Sequence, residues 1–263
     1  MELNDAAGRP VRRLVAGLVQ RAWKWVRDTG MITAGTPAGR RFGAFGAGSS
    51  IAFPPGTIFG EPWIRIGEDT LVGAEITLSA GMVPGLELGP EPVVEIGSGC
   101  TIGRGSHIVG HKRIEIGDNV FTGPYVYVTD QNHAYTDPQT PIGRQWPIDE
   151  PVRIGSGSWL GAGAVVLPGT TLGRNCVVAA GAVVRGEYGD HCVLAGAPAK
   201  VVRRWDPGAG WQPPLRGRQA ERAAAEAALL AAAADDGAVR AVPLTAPDAA
   251  DAPLNGSRAR PPR

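Results

Sequence analysis

Residues 154–183 read IGSGSW LGAGAV VLPGTT LGRNCV VAAGAV, five consecutive blocks of six. Each block opens on an aliphatic residue, Ile154, Leu160, Val166, Leu172 and Val178, and the beat continues to Val184. It runs also through Ile96, Ile102 and Ile108, through Ile116, Thr122 and Val128, and earlier through Ile66, Val72 and Leu78. A repeat of fixed period outranks other sequence signals, because each unit must bury its apolar face against its neighbours. Here each block supplies one short strand and one tight turn. The first position points inward. The fifth, at Thr70, Ser106, Ser158, Ala164, Thr170 and Ala182, is small enough for a crowded corner, and glycine relieves the turn. Three blocks make a coil of eighteen, as from Ile154 to Leu172, which closes a triangle. Stacked coils bury a continuous aliphatic column and pair every internal strand edge. The predicted fold is all-β, a parallel β-helix over residues 45–204.

The beat is interrupted at 84–93 (PGLELGPEPV) and at 134–150 (AYTDPQTPIGRQWPIDE). Long loops extruded from a rigid solenoid are preferred places for function. Cys100, Cys176 and Cys192 all occupy the small fifth position, so they read as core filler and not as nucleophiles. Within the N-terminal segment 1–44, residues 10–28 carry apolar residues at helical spacing with Arg12, Arg13, Arg21, Lys24 and Arg27 between them. Two readings are open: a helix that packs on the core or closes one end of it, and a basic helix that rests on a membrane surface. In the C-terminal segment 205–263, residues 216–234 are Ala-rich and helical in pattern. Residues 235–263 are rich in Pro, Ala and Asp and are expected to be disordered.

The chain of 263 residues carries a net charge of +1, which gives no global drive toward nucleic acid. Three sparse cysteines form neither a disulfide framework nor a zinc motif. No apolar run reaches the roughly 18 residues of a membrane span, and the start lacks the pattern of a signal peptide. The default expectation is a cytoplasmic location, with peripheral contact at the inner membrane if the first helix is interfacial.

From Ile116 to Arg204 the residues resemble the hexapeptide-repeat, or isoleucine-patch, acyltransferases, which include galactoside, maltose and polysaccharide O-acetyltransferases. The matching stretches are IGDNV at 116–120, DQNHAYTD at 130–137, VRIGSGSWLGAGAVVLPG at 152–169, VVAAGAVV at 177–184 and LAGAPAKVVR at 194–203. The resemblance implies a left-handed winding, a homotrimer with active sites in clefts between subunits, and acetyl-CoA as co-substrate with no tightly bound cofactor or metal. The handedness comes from the family alone and runs against the usual right-handed crossover.

Acyl transfer from a thioester needs a base for the acceptor proton, a donor for the tetrahedral oxyanion, a groove for pantetheine and cations for phosphates. His133, outward at the last position of its block and before the long loop, is the candidate base, since a free imidazole titrates near about 6.5. Asp130 and Asn132 share its stretch and are counted with it as catalytic candidates; Asp130 is read as a partner that orients the imidazole or helps hold the acceptor, or as a turn acceptor at a strand end. Tyr135, Arg144, Gln145 and Trp146 in the loop are candidate contacts to the acceptor or the coenzyme. By the resemblance, Trp159 lies beside the thiol end of the coenzyme and the Ala162 N–H is the oxyanion donor. Ala180 and Gly181 line the pantetheine wall, and Lys200, Arg203 and Arg185 meet phosphates. Gly103 and His111 stand where the galactoside branch carries an asparagine and an acidic residue, so the expected acceptor is a sugar of the polysaccharide or glycolipid kind. Two other functions compete. A zinc lyase of the γ-carbonic-anhydrase type needs three convergent histidines, and His107 and His111 do not match that geometry with His133. A non-catalytic scaffold leaves the DQNH stretch unexplained.

Overall fold

The structure, a computed structural model, describes residues 9–218 and positions 220–222, 224, 225, 228 and 229. Short parallel strands stack into three sheets, which the chain visits in a fixed order. Face one stacks Ile66, Ile96, Ile116, Ile154 and Leu172. Face two stacks Val72, Ile102, Thr122, Leu160, Val178 and Leu194. Face three stacks Ile58, Leu78, Ile108, Val128, Val166 and Val184. These columns converge on one core in which Leu78, Leu160 and Val166 are wholly buried.

The eighteen-residue coil holds from Ile154 to Leu172 but not throughout. On face one the rungs are 30, 20, 38, 18 and 16 residues apart, from Ile66 to Tyr188. From Ile66 onward the steps from face one to face two and from face two to face three are always six; in the first coil Ile51 to Ile58 takes seven. Beyond that first coil all the variation falls on the edge where the chain passes from face three back to face one. Both long loops leave from that edge, and the coil between them carries two extra residues in the turn around His111, Lys112 and Arg113.

Two backbone features allow the stacking. The fourth position of most blocks takes a left-handed conformation, at Gly157 (φ 73°) and equally at Asn119 (φ 55°) and Asn175 (φ 51°), where glycine and asparagine cost least. On face one the second position is bare, from Gly67 to Gly189: a Cβ on Gly155 would stand 2.4 Å from the carbonyl carbon of Gly173 in the next coil. The fifth position is more than a space-saver. Along the edge between faces one and two, the hydroxyls of Ser49 and Thr70 donate to Gly67 and Gly97 carbonyls at 2.6 and 2.7 Å. The thiols of Cys100 and Cys176 donate in the same way to Gly117 and Gly189 at 3.1 and 3.2 Å. Val120 and Val126 depart from the expected small residue and are buried there as core.

Outward on face one, Arg65 pairs with Glu95 and Arg153 with Glu115 at 3.4 and 2.8 Å, and Arg113 bridges both glutamates. Such half-exposed pairs contribute about 0–1 kcal/mol each, whereas a buried Leu, Ile or Val contributes about 1.5–3 kcal/mol, so the columns hold the fold.

The ends are closed by strands. Ile32–Thr33 pairs antiparallel with Ser50–Ile51, and Ile32 and Phe42 are buried over the first rung. At the other end Ala199–Asp206 returns antiparallel along Cys192–Gly196, and Gly210–Gln212 follows, with Trp205 edge-on to Trp211 at 5.6 Å. This sheet extends past Arg204, where the repeat itself stops. The helix Arg9–Gly30 closes neither end: Leu14, Leu18, Val19 and Trp25 are 65, 53, 61 and 67% exposed. The capping reading is therefore corrected, because the strand and Phe42 already occupy the place a cap would fill. The segment from Pro214 is a separate unit, helical at its described positions between 218 and 229, and residues 235–263 lie outside the described residues.

Burial raises the Cys100 and Cys176 thiols above their ordinary range, so the thiolate is scarce as well as sheltered. Native protein at pH 8 is expected to take up no thiol reagent at either cysteine until denaturant is added. Labelling of the folded chain at the rate of free cysteine contradicts this packing.

Candidate active site

The edge between faces three and one carries two clefts that share one wall, and that wall is His133. After Thr129 the chain leaves the coil as a hairpin in which Gln131–His133 pairs antiparallel with Pro147–Asp149. The first cleft, about 200 Å³, is lined by Asn132, His133, Tyr135, Ile148, Pro168 and Arg185 among others. The second, about 300 Å³, lies toward the first loop and is lined by Phe59, Met82, His111, Gln131, His133 and Gln145 among others. The His133 side chain is exposed, and its ring forms no hydrogen bond among the described residues.

Asp130 does not face that ring. It is wholly buried. One carboxylate oxygen accepts the amide of His111 at 2.8 Å, and the other accepts those of Lys112 and Arg113 at 2.7 and 2.6 Å. These bonds make it an acceptor for the turn and tie the widened turn of one coil to the root of the His133 hairpin. Gln145 is likewise occupied. Its amide donates to the carbonyls of Asp137 and Thr140, both at 2.9 Å, and its oxygen accepts the Asp137 N–H at 3.2 Å. A donor from Thr140 at 2.6 Å and the Gln139 amide hold the Asp137 carboxylate below its ordinary range. The loop tie is therefore intact above the ordinary carboxylate range and is lost only as pH falls through the lower folded value. Arg144 and Trp146 point to solvent, and Tyr135 is exposed at the rim of the first cleft. Arg185 stands on the His133 edge, paired with Glu150 at 3.2 Å, and not with the other expected phosphate ligands.

The remaining candidates lie on a different edge. Trp159, half-exposed beside Phe121, sits on face two, and Ala162, Ala180 and Gly181 follow at the turn into face three. Lys200 and Arg203 are on the return strand of face two, Arg203 with one buried nitrogen lacking a partner among the described residues. Within one chain the width of face three, three residues at Tyr127–Thr129 or about 10 Å, separates this edge from His133. The amides here are open. On the edge between faces one and two, third-position side chains bond the amide of the coil before: Asp118 takes Ser98 N–H and Ser156 takes Asp118 N–H, at 2.8 and 3.0 Å. At the Ala162 edge that position holds Ala180, without an acceptor, so the Ala162 N–H has no partner among the described residues.

Sequence reasoning passed over one pair. His111 Nδ1 lies 3.5 Å from Asp149 Oδ1, and these two atoms and Gln131 Oε1 are buried without a hydrogen-bond partner among the described residues. They gather beside the second cleft because Gln131 and Asp149 are cross-strand neighbours and Asp130 holds the His111 turn against them. The pairing spans 38 residues and has no local signal. Among the described residues, no three His, Cys, Asp or Glu side chains converge as metal ligands would. A larger depression of about 680 Å³ lies over the ion-pair ladder of face one and contains no imidazole.

Residues 151–186 match the family model described as bacterial transferase hexapeptide (six repeats). Over this stretch the chain is similar to the hexapeptide-repeat transferases. A Mycobacterium tuberculosis relative named "probable acetyltransferase" is 37% identical over 141 residues, 54% of this chain and 42% of that one. An Escherichia coli relative named for O-acetyl transfer in lipopolysaccharide biosynthesis is 35% identical over 107 residues, 38% of this chain and 55% of its own. The chain thus spans about half the length of these curated relatives. The solved structure of AntD, an N-acyltransferase from Bacillus cereus, in complex with dTDP and 3-hydroxybutyryl-CoA, shares the fold. It superposes with a TM-score of 0.52 at 18% identity over 63% of this chain and 84% of that one.

Replacing Asp130 by alanine strips three buried amides of their acceptor at once. Each bond to a charged group is worth roughly 1.5–3 kcal/mol, so Asp130→Ala is expected to lower Tm by on the order of 10 °C. A variant that melts with the wild type shows that Asp130 is not the structural tie.

Proposed function

We propose that this protein transfers an acyl group, acetyl foremost, from acyl-CoA to a hydroxyl or amine of a sugar or glycolipid, with His133 as general base. The observation that carries the reading is the place of His133: an outward imidazole, unbonded within the chain, on the wall common to two clefts. An acceptor in one cleft and a thioester arriving from the other meet at its ring. His133 takes the acceptor proton as the acceptor oxygen or nitrogen attacks the thioester carbon. The oxyanion is stabilised by the Ala162 N–H, an open backbone donor that needs no reorganisation. Collapse expels the coenzyme thiolate, and the proton on His133 passes to that sulfur. Asn132 lies beside the base, and Tyr135 faces the acceptor in the first cleft.

His133 and Ala162 stand on different edges of one chain, so the site is completed by a second copy. A left-handed homotrimer, in which the His133 edge of one subunit meets the Trp159 edge of its neighbour, brings them together. In that arrangement Ala180 and Gly181 present a bare wall to pantetheine, Lys200 and Arg203 meet its phosphates, and Arg185 approaches from the other subunit. Acetyl-CoA is a co-substrate and not a resident cofactor. Relatives and fold neighbours named for O-acetyl transfer and for coenzyme complexes support the reading.

His133→Ala is expected to lower kcat by roughly 10²–10⁴ with acyl-CoA still bound and the fold intact; a variant within a few-fold of wild type removes His133 as the base. The shared site has its own test. Ala162→Pro deletes the N–H and suits the coil, since Pro124 holds the same position one coil earlier. His133→Ala and Ala162→Pro proteins, each inactive, should regain activity when their subunits are mixed and reassembled. Mixed trimers as inactive as the parents place the whole site in one subunit. Lys200→Ala with Arg203→Ala should raise the acyl-CoA KM more than it lowers kcat.

A further inference from the structure

The helix Arg9–Gly30 is the feature the acyl-transfer site leaves unused. At about 100° per residue, Leu14, Trp25, Leu18, Ala22, Val15, Val26 and Val19 fall within one arc of roughly 140°. The opposite arc holds Arg27, Gln20, Arg13 and Lys24, and Arg12 and Arg21 stand at the two borders. None of the large apolar side chains from Leu14 to Trp25 is covered by the body. The segment carries six cations and one acid, net +5, in a chain whose total is +1, so the rest of the chain is net −4. Its single acid, Asp28, is already paired with Lys24 at 2.9 Å.

We propose that this helix lies in the plane of an anionic bilayer surface and holds the protein there. The occupant follows from charge. A bundle of several copies of this helix would bring its cations together with no free acid to answer them, whereas an anionic lipid surface answers all of them. Tryptophan favours the headgroup level, and arginines at the borders of the apolar arc reach back to phosphates while their stems stay in the apolar layer. The helix does not span: no helix among the described residues is long and apolar enough to cross a membrane.

The attachment is short. Gly30 lies so close to the Phe53 ring that a Cβ there would meet it at 2.5 Å, and two residues later Ile32 has joined the first rung. Helix and solenoid are therefore joined without a flexible linker. On face three the His133 hairpin follows the fourth rung, three steps of about 4.8 Å from the first, or about 15 Å along the stack. That distance suits the first sugars of a lipid-linked glycan; this last link rests on the acyl-transfer reading, while membrane binding does not.

The test is cosedimentation of the full chain with phosphatidylcholine vesicles with and without about one-third phosphatidylglycerol. Binding is expected only to the anionic vesicles and to weaken in high salt. Arg12→Glu with Arg13→Glu and Arg21→Glu, and separately Leu18→Glu with Trp25→Glu, should each reduce partitioning at least ten-fold. Acyl transfer to a water-soluble acceptor is followed in parallel and should be unchanged, which keeps failure of the catalytic reading distinct. The proposal is overturned by a wild-type chain that stays in the supernatant, or by binding indifferent to lipid charge and to both sets of substitutions. It is overturned too by an assembly that shrinks on Leu18→Glu with Trp25→Glu in the absence of any lipid, which would make a second copy the partner.

Discussion

Neighbouring coils of this solenoid lie only about 4.8 Å apart, and that distance dictates the rest of the molecule. At such spacing the second residue of each face-one block cannot carry a Cβ without striking the backbone of the next coil, as at Gly155. In most blocks the fourth turns left-handed, and the fifth, apart from Val120 and Val126, is small or offers a hydrogen bond along the stack. Ser49, Thr70, Cys100, Ser158 and Cys176 do the latter, each to a glycine carbonyl of the next coil. The aliphatic columns supply most of the free energy, but the glycines and these small donors decide that the coils can approach closely enough for the columns to form.

The same rigidity explains where chemistry is found. From Ile66 onward two of the three edges keep a strict step of six and have no room for anything but a turn. Irregularity is confined to the third, and there the hairpin of His133, the widened turn of His111 and the loop around Met82 stand side by side. Asp130 connects these parts. A carboxylate buried in one coil and bonded to three amides of the previous one sets the height at which the hairpin leaves. The open Ala162 amide belongs to the opposite kind of edge, where alanine in place of a bonding side chain leaves the backbone donor available.

The column of aliphatic residues was legible because its period survives every interruption, and the amphipathic helix because seven apolar positions share one arc. Other features had no local signature. The six-residue beat predicts a coil of eighteen, while the coil from Ile96 to Ile116 takes twenty, because Asp130 stabilises two extra residues from a distance in sequence. His133 and Asp130 are near neighbours in the motif, which suggested a shared task, yet the first faces out and the second is in the core. Gln145 looked free to meet a ligand, and folds back on its own loop instead. The His111–Asp149 contact depends on how a hairpin lies across a turn. Pattern alone could not separate a capping helix from an exposed one, since both need the same apolar stripe; the difference is the buried Ile32 and Phe42 already at the end of the stack.

Confinement of every length change beyond the first coil to one edge has an evolutionary consequence. A segment inserted there shifts no strand out of register, because the next block restarts the count on the same rung height whether six residues or 26 have intervened. Selection can therefore rewrite the recognition loops by duplication, deletion or exchange while the scaffold stays indifferent. A lineage of such chains would be expected to diverge in what it recognises much faster than in how it folds.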